Sequence, residues 1–188
     1  MPPTAKVTKA DIIEASLNII RHKGVSELNA RAVAKELKCS TQPIYSIYAS
    51  MEELKTEVTK TVNDYFDAYL YEHIKKSHAS SPYGASGLAY IQFAKEEKEL
   101  YRLLFMQNNI YAQTWEDEHR PYIKMVMNAT GLDMESAKNF HLQMWLFIHG
   151  ISTFFATSYL DISDELIHEF LNRISGGLLS TYEESKNE

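Results

Sequence analysis

Cysteine is nearly absent from the sequence, and several motifs on which enzymes depend are missing altogether. The single cysteine, Cys39, excludes an internal disulfide framework and fits a reducing compartment. There is no glycine-rich phosphate loop, no G-x-S-x-G and no H-E-x-x-H, so the chemistry of those motifs is not indicated. Clusters of β-branched residues are also missing, and every apolar run has helical spacing. These absences predict an all-α protein that is not an enzyme.

The sequence also lacks an apolar leader and a convincing membrane span. The first residues, MPPTAKVTKAD, contain no apolar core of signal-peptide length, so we expect a cytoplasmic protein. Residues 139–160 carry no Asp, Glu, Lys or Arg, but they include two histidines and several amide and hydroxyl side chains. This stretch is too polar for a lone span and predicts a buried core helix instead.

What the sequence does contain is a large apolar fraction and an uneven distribution of charge. Apolar residues make up 45% and aromatic residues 12% of the 188 residues, which excludes a disordered chain. The formal charge of −6 divides unequally, because residues 1–60 hold nine Lys and Arg against seven Asp and Glu. Only this N-terminal part has a positive balance, so only this part is suited to approach a polyanion.

Residues 29–54 have the pattern of two short helices followed by a longer one. Asn29 is placed to cap the first, whose apolar face would be Ala30, Val33, Ala34 and Leu37. Ser40 is placed to cap the second, and Ser50-x-x-Glu53 forms a capping box that opens the third. The two short helices are too small to bury a core alone, so they must pack on a neighbour. A pair of this kind predicts a helix-turn-helix, which offers its second helix to the DNA major groove.

The start of the second short helix supplies the side chains that would meet base edges. Gln42 suits a bidentate contact to adenine, and Arg31, near the start of its own helix, suits a guanine. Tyr45 would reach a phosphate oxygen. The predicted DNA surface consists of Asn29, Arg31, Thr41, Gln42, Pro43, Tyr45, Ser46 and Lys55.

Two stretches carry a resemblance to a known family. The first contains TKADIIEASLNIIRHKGV, then ARAVAKEL, a short helix with I-Y-x-x-Y, and S-x-E-E-L; it resembles the DNA-binding domain of TetR/AcrR-type regulators. The second is GLAYIQFAKEEKELYRLLFM followed by Trp145-x-x-x-His149-Gly150, which looks like the ligand-binding domain of the branch named for its W-H-G motif. The resemblance implies a three-helix head joined by a long helix to a larger helical ligand-binding and dimerisation domain. We therefore expect a DNA-binding domain at 1–54, a connecting helix at 55–76 and the larger domain at 77–188.

Helical periodicity and turn residues predict the remaining elements. The first helix would begin at Thr8, end at Gly24 and bury Ile13, Leu17 and Ile20. The polar stretch from Ser77 to Ser86 predicts a loop. Further helices are expected at 50–76, at 88–107 as one kinked or two short helices, at 111–129 as a pair with Pro121 early in the second, at 133–160 and at 164–185.

Large, adaptable side chains are frequent between residues 65 and 155, where they would form either an ordinary core or the lining of a small-molecule cavity. His141, Trp145 and His149 fall four residues apart, so both histidines could face one side of a helix. A metal site would need further ligands, for which only residues 116–119 are candidates, so we expect neither a metal nor a cofactor. The predicted ligand-binding residues are Tyr65, Phe66, Tyr69, Phe93, Phe105, Trp115, Met144, Trp145, Phe147 and His149.

The last two helices have features of a dimer interface. The first would present a small-residue face of Gly150, Ser152, Thr153 and Ala156. The second carries an apolar stripe of Leu166, Phe170, Ile174 and Leu178, with Gly176 and Gly177 in mid-helix. Mid-helix glycines cost about 1 kcal/mol each relative to alanine, which suggests that another backbone comes close. Together with the family resemblance, this predicts a four-helix bundle formed by two chains.

These patterns predict a sequence-specific DNA-binding transcription regulator. It would be a homodimeric repressor, released from a palindromic operator by a small apolar or aromatic effector. The alternative is a dimeric DNA-binding module controlled by a protein partner or by no effector. Two further alternatives are a small helical enzyme with titratable groups in a cavity and a redox switch at Cys39.

Overall fold

The protein is built from α-helices. A computed structural model describes residues 7–77, 79, 81–107 and 115–184. This part of the chain contains no strand, which confirms the all-α prediction. None of its helices combines the length with the apolar character that crossing a bilayer requires. The helices are α1 (Lys9–Lys23), α2 (Ala30–Glu36), α3 (Gln42–Ile47), α4 (Met51–Lys76), α5 (Pro82–Glu96), α6 (Lys98–Phe105), α7 (Trp115–Thr130), α8 (Met134–Thr157) and α9 (Asp164–Glu184).

The helices group into two compact units. The first unit contains α1, α2, α3, α6 and the larger part of α4, and the second contains the end of α4 with α5, α7, α8 and α9. The division crosses α4 between Ala68 and Tyr69 without a break in the helix. The domain limits expected at residues 54 and 76 stay a prediction. Helix α4 runs without a break from Met51 to Lys76, so no linker marks a domain boundary within it.

The first helix begins and ends where the sequence predicts. The hydroxyl of Thr8 accepts a hydrogen bond from the Asp11 amide at 3.2 Å, and the Asp11 carboxylate accepts one from the Thr8 amide at 2.8 Å. This capping box satisfies two amides that the first turn of a helix leaves without partners. At the other end, Gly24 takes a positive φ of 84° that a side chain would make costly.

The buried face of α1 differs from the predicted one. Its buried residues are Ile12, Ala15, Ser16, Ile19 and Ile20, whereas Ile13 and Leu17 are half-buried. The stripe was hard to recognise because it contains a polar residue, Ser16. Its hydroxyl donates to the carbonyl oxygen of Ile12 at 2.7 Å, so the serine is buried without losing its hydrogen bond.

The two short helices have unequal caps. The Asn29 side chain accepts from the Ala32 amide at 3.0 Å and caps α2, as predicted. The prediction that Ser40 caps the next helix is wrong, since the capping position of α3 is Thr41 and no side chain caps it. Thr41 has helical backbone dihedrals, and a side-chain cap needs an extended residue there. The turn before it contains Lys38 in a left-handed conformation with φ of 53°.

The second unit corrects two predictions about its helix boundaries. The loop expected up to Ser86 ends earlier, because α5 begins at Pro82 and the Ser81 hydroxyl caps it by accepting from the Gly84 amide at 3.0 Å. Proline suits this first position, where its missing N–H is not needed. Pro121 lies inside the single helix α7, not at the start of a second one. Pro121 and Asp117, four residues before it, are both exposed, so the proline ring lies on the surface of the helix.

The second unit also contains a close helix contact. A Cβ atom placed on Gly87 of α5 would lie 2.8 Å from the Cδ1 atom of Ile148 on α8. A larger residue at this position would require the Ile148 side chain to move. The last helices agree with their predicted ranges: Asp133 caps α8 by accepting from the amides of Glu135 and Ser136, and α9 starts at Asp164. Residues 111–114 and Ser185, which the predicted helices included, lie outside the described residues.

Candidate nucleic-acid interface and aromatic cluster

The short helices α2 and α3 are fixed by a few apolar side chains. Val33 of α2, Ile44 of α3 and Tyr48 after it are at most 1% exposed. These three residues belong to the first unit, whose core also receives apolar side chains from α1, α4 and α6. Because one face of each short helix is buried, the opposite face is presented outward.

The outward face carries most of the predicted DNA-contacting side chains. Asn29, Arg31, Gln42, Tyr45 and Ser46 are exposed, and 52% of Tyr45 is accessible. The other three predicted residues, Thr41, Pro43 and Lys55, are half-buried by residue. All eight lie on α2, on α3 or on their flanks, apart from Lys55 in the first turns of α4. The uncharged side chains of α3 can hydrogen-bond to base edges or contact thymine methyl groups.

The charges beside these helices are only partly neutralised within the protein. Arg31 has no ion-pair partner in the described part of the chain, so its guanidinium is available to an anion or a guanine. Lys55 lies 3.5 Å from the Glu52 carboxylate. The Ser50 hydroxyl accepts from the Glu53 amide at 3.2 Å, as predicted, but the Glu53 carboxylate accepts from the Ala49 amide at 2.7 Å, one residue before the position that a capping box would use. The start of α4 therefore places two acids and one lysine close in sequence, which makes it a weak phosphate-binding element.

Sequence reasoning did not include Lys35 and Lys38 in the DNA surface. Both side chains are exposed, and neither has an ion-pair partner in the described residues. Their position between α2 and α3 makes them candidates for phosphate contacts. Basic residues at the end of one short helix and in the following turn were the available signal.

In the second unit, three helices meet through a buried chain of hydrogen bonds. The hydroxyl of Tyr83 on α5 lies 2.9 Å from Nδ1 of His141 on α8, and Nε2 of His141 lies 2.8 Å from Nδ1 of His119 on α7. The Tyr83 hydroxyl has no other partner in the described residues, so we assign it as donor to His141. The Nε2 of His141 then carries a hydrogen and donates to His119. Sequence reasoning had named His119 only as a candidate metal ligand and had not chosen Tyr83.

Burial keeps the imidazoles of this chain uncharged. It lowers the pKa of His119 to about 4. Burial and the neighbouring His119 lower the pKa of His141 to about 3. Burial also lowers the pKa of His149 and raises that of Tyr83. Desolvation disfavours the charged form of each group, so the chain is neutral at pH 7.

Aromatic rings surround the hydrogen-bonded chain. The Trp115 ring stacks on His119 with centroids 4.6 Å apart, and Trp145 stacks on His149 at 5.1 Å. The two tryptophan rings are 6.3 Å apart in an edge-to-face arrangement. His149 is also hydrogen-bonded across the α5–α8 contact to the Tyr90 hydroxyl at 3.0 Å. The structure thus brings together three of the predicted ligand-binding residues, Trp115, Trp145 and His149, in one aromatic cluster.

The other predicted ligand-binding residues do not belong to that cluster. In the first unit, Phe66 and Phe105 contact each other edge to face at 5.3 Å, and Tyr65 is 39% exposed. In the second unit, Tyr69 contacts Phe93 at 5.2 Å, while Met144 is buried and Phe147 half-buried. Within the described residues no three His, Cys, Asp or Glu side chains could hold a metal together. The side chain of Glu116, which was one candidate ligand, lies outside the described residues.

Comparison with known proteins gives one informative result. No protein-family model matches this sequence, and no curated protein matches it. Among solved structures, a TetR-family member from Streptomyces coelicolor A3 superposes on it with a TM-score of 0.57 and 18% sequence identity, covering 88% of this chain and 96% of that chain. The chain has a TetR-type fold.

The TetR-type fold agrees with the two resemblances noted in the sequence. In this fold α2 and α3 are the two short helices that the pattern of residues 29–54 predicts. At 18% identity the match concerns the course of the chain and not particular side chains. The roles of individual residues must therefore come from their own geometry.

Proposed function

We propose that this protein is a DNA-binding transcription regulator that recognises its operator through α2 and α3. The observation that supports this most directly is the outward face of these helices, where Arg31, Gln42 and Tyr45 are exposed while the opposite face is anchored by buried residues. Gln42 and Arg31 are exposed, and in the described part of the chain Arg31 forms no ion pair. They are the side chains that form bidentate contacts with adenine and guanine.

Two variants test the docking geometry. Arg31→Ala and Gln42→Ala should each weaken operator binding by about 1 to 3 kcal/mol and relax the preference among operator variants. The operator is first found by footprinting on DNA flanking the protein's own gene. Arg120→Ala is a matched control, because Arg120 is exposed on α7 and forms an ion pair with Asp117 at 2.8 Å. Unchanged base preference in both variants would contradict this docking mode.

We also propose that the protein acts as a homodimer through α8 and α9. Leu146, Gly150 and Phe154 repeat every four residues on an exposed face of α8, and nothing lies within 4 Å of a Cβ placed on Gly150, Gly176 or Gly177. On α9, Leu166 is exposed and Phe170, Ile174 and Leu178 are half-buried. The predicted small-residue face needs one correction, because Ser152 and Ala156 are fully buried within the chain itself. The surface left for a second copy therefore contains the larger apolar side chains Leu146 and Phe154 in place of Ser152 and Ala156.

A dimer would place two heads on one face of the duplex. Half-sites would then lie about 34 Å apart, and the operator would be a near-palindrome. Leu146→Glu should convert the dimer to a monomer in sedimentation experiments, because a carboxylate on each copy would be buried against the other. If this variant still forms dimers, the dimer interface does not include this face of α8.

Release by a small apolar or aromatic effector is the proposed regulation, which would make the protein a repressor and not an enzyme. The aromatic cluster of the second unit supports it, since such side chains commonly line effector sites. The alternative, control by a protein partner or by no effector, is favoured by a different observation. The rings of the cluster stack on one another, and none of the ten predicted ligand-binding residues lines the groove between α4, α5 and α9. Footprints repeated with a panel of aromatic compounds distinguish the two.

A further inference from the structure

The second unit contains a groove that shares no residue with the aromatic cluster. Its volume is about 300 Å³, and it is lined by the end of α4, by α5 and by the start of α9. Its apolar lining is aliphatic and consists of Ala85, Leu88, Ala89, Ile91 and Ile167. A volume of this size, with an apolar lining and a few polar groups, is typical of small-molecule sites.

The groove follows one face of α5. Ala85, Leu88, Ala89 and Gln92 are three or four residues apart, so their side chains lie on the same side of the helix. Ala85 and Ala89 are one turn apart, and their single methyl groups let a ligand lie close to the helix. From Ala85 to Gln92 the helix rises about 10 Å, which is long enough for an extended chain of about six to eight carbon atoms. The lining therefore suits a short aliphatic chain.

Hydrogen-bond donors line the groove where α4 ends. Lys76 and Ser77 belong to this part of the lining, and both are exposed. The Ser77 hydroxyl accepts from the Ala79 amide at 3.0 Å, so its own hydrogen can be donated to a ligand. His168, on the α9 side, has at least one N–H in either protonation state. These side chains match a ligand group that accepts hydrogen bonds.

The charges of the lining favour an anion over a cation. Asp164 has the only carboxylate among the lining residues, and it is already paired with Lys95 at 2.5 Å. Lys76 lies 3.2 Å from Glu72, but these two side chains are 76% and 50% exposed. A pair so exposed to water is weak, and an ammonium group has three donors, so Lys76 can also bind the carboxylate of a ligand. A cationic ligand would meet no unpaired carboxylate in this lining.

We propose that this groove binds a short aliphatic carboxylate. Its hydrocarbon chain lies along Ala85 and Ala89 of α5, and its carboxylate accepts hydrogen bonds from Lys76 and Ser77. The groove shares no residue with α2 or α3, so this binding does not depend on the proposed DNA contacts. The failure of this proposal and the failure of the DNA-binding proposal are therefore distinguishable.

Three probes with the same hydrocarbon chain test the class of ligand. Isothermal titration calorimetry of the whole chain, without DNA, would compare hexanoate, 1-hexanol and hexylamine at pH 7.5. We expect hexanoate to bind about 3- to 10-fold more tightly than 1-hexanol, because only the carboxylate gains a charge-assisted hydrogen bond from an exposed lysine. Hexylamine should bind most weakly, because its ammonium group would approach Lys76. The proposal is overturned if 1-hexanol or hexylamine binds as tightly as hexanoate, or if hexanoate gives no heat of binding at about 10 mM.

Two neighbouring lysines provide a matched pair of variants. Lys76 lines the groove and Lys75 does not, while both are exposed in the last turn of α4. Lys76→Met keeps most of the hydrocarbon and removes the charge, so it should weaken hexanoate binding about 3- to 10-fold without changing 1-hexanol binding. Lys75→Met changes the net charge equally and should bind hexanoate as the parent does. Unchanged hexanoate affinity in Lys76→Met, or an equal loss in both variants, would refute the site.

A third variant tests the apolar part of the site. Leu88→Ala removes aliphatic contact and should weaken hexanoate and 1-hexanol by the same factor, about 3- to 10-fold. Circular dichroism checks that each variant is folded, and the two lysine variants decide if Leu88→Ala is not. Parental hexanoate affinity in folded Leu88→Ala would show that the chain binds elsewhere and would overturn the proposal.

Discussion

The two units stabilise their interiors in different ways. The first packs aliphatic stripes from α1, α2, α3, α4 and α6, with Ile12, Ile20, Val33, Leu54 and Leu100 all fully buried. The second adds a hydrogen-bonded chain, Tyr83–His141–His119, within its apolar core. Burial of hydrocarbon does not depend on pH, whereas burial of imidazole does. The comparison therefore predicts that mutations and acid will act differently on the two units.

The largest effect is expected from the aliphatic core of the first unit. Ile20→Ala should destabilise it by about 2 to 5 kcal/mol, because the substitution leaves a cavity at a fully buried position. Hydrogen exchange of the α1 amides measures the loss, which should be the same at pH 7 and pH 5. Ile13→Ala is the control and should cost less, since Ile13 is half-buried. Equal costs at the two positions would restore the face originally predicted for α1.

A slightly smaller loss should follow removal of the imidazole at the centre of the second unit. His141→Leu removes the ring to which the Tyr83 hydroxyl and Nδ1 of His119 are bonded, and because both residues are half-buried, about 1 to 3 kcal/mol in total is expected. Urea unfolding followed by tryptophan emission measures it selectively, because both tryptophans, Trp115 and Trp145, belong to the second unit. His22→Leu, on the exposed side of α1, should change little. If His141→Leu does not change the free energy of unfolding, the Tyr83–His141–His119 hydrogen bonds contribute no net stability.

The pH dependence of the free energy of unfolding should differ most clearly between the two units. The folded-state pKa values of His119 and His141, about 4 and about 3, lie below the ordinary 6.5. The unfolded chain therefore binds more protons in this range, and the stability of the second unit should fall as pH decreases from 6.5 towards 4. Above 6.5 these histidines contribute no pH dependence. The urea midpoint from tryptophan emission should decrease accordingly, and His141→Leu should flatten the decrease. A urea midpoint that stays constant from pH 7 to pH 4.5 would contradict the assignment of His119 and His141 as uncharged in the folded protein.

The smallest effect concerns the capping box of α1. Thr8→Ala should cost about 1 kcal/mol, because the Asp11 amide loses the hydroxyl that accepts its hydrogen bond and the Asp11 carboxylate loses one donor. Hydrogen exchange in the first turn of α1 measures it. Thr56→Ala is a suitable control, since Thr56 is exposed and its hydroxyl bonds only to the Glu52 carbonyl within α4. If Thr56→Ala lowers the stability more than Thr8→Ala does, the capping box does not contribute more than an ordinary side-chain hydrogen bond within a helix.

How far the sequence predicted these units depends on the range of the interactions. Thr8, Gly24, Asn29 and Ser50 act on residues three or four positions away, so their roles could be recognised from the sequence. His119 and His141 are 22 residues apart, and Tyr83 is 58 residues from His141; no local pattern connects them. The pair of short helices α2 and α3 was predictable from the sequence, while the roles of the residues on its outward face stay a prediction.

The left-handed turn at Lys38 has a consequence for evolution and design. A non-glycine residue there costs about 1 kcal/mol, which glycine would recover. Glycine would also remove one of only nine positive side chains in the first sixty residues. At this position, conformational stability and attraction to a polyanion favour different residues, so a selection for heat resistance alone should exchange Lys38 for glycine and thereby weaken attraction to a polyanion.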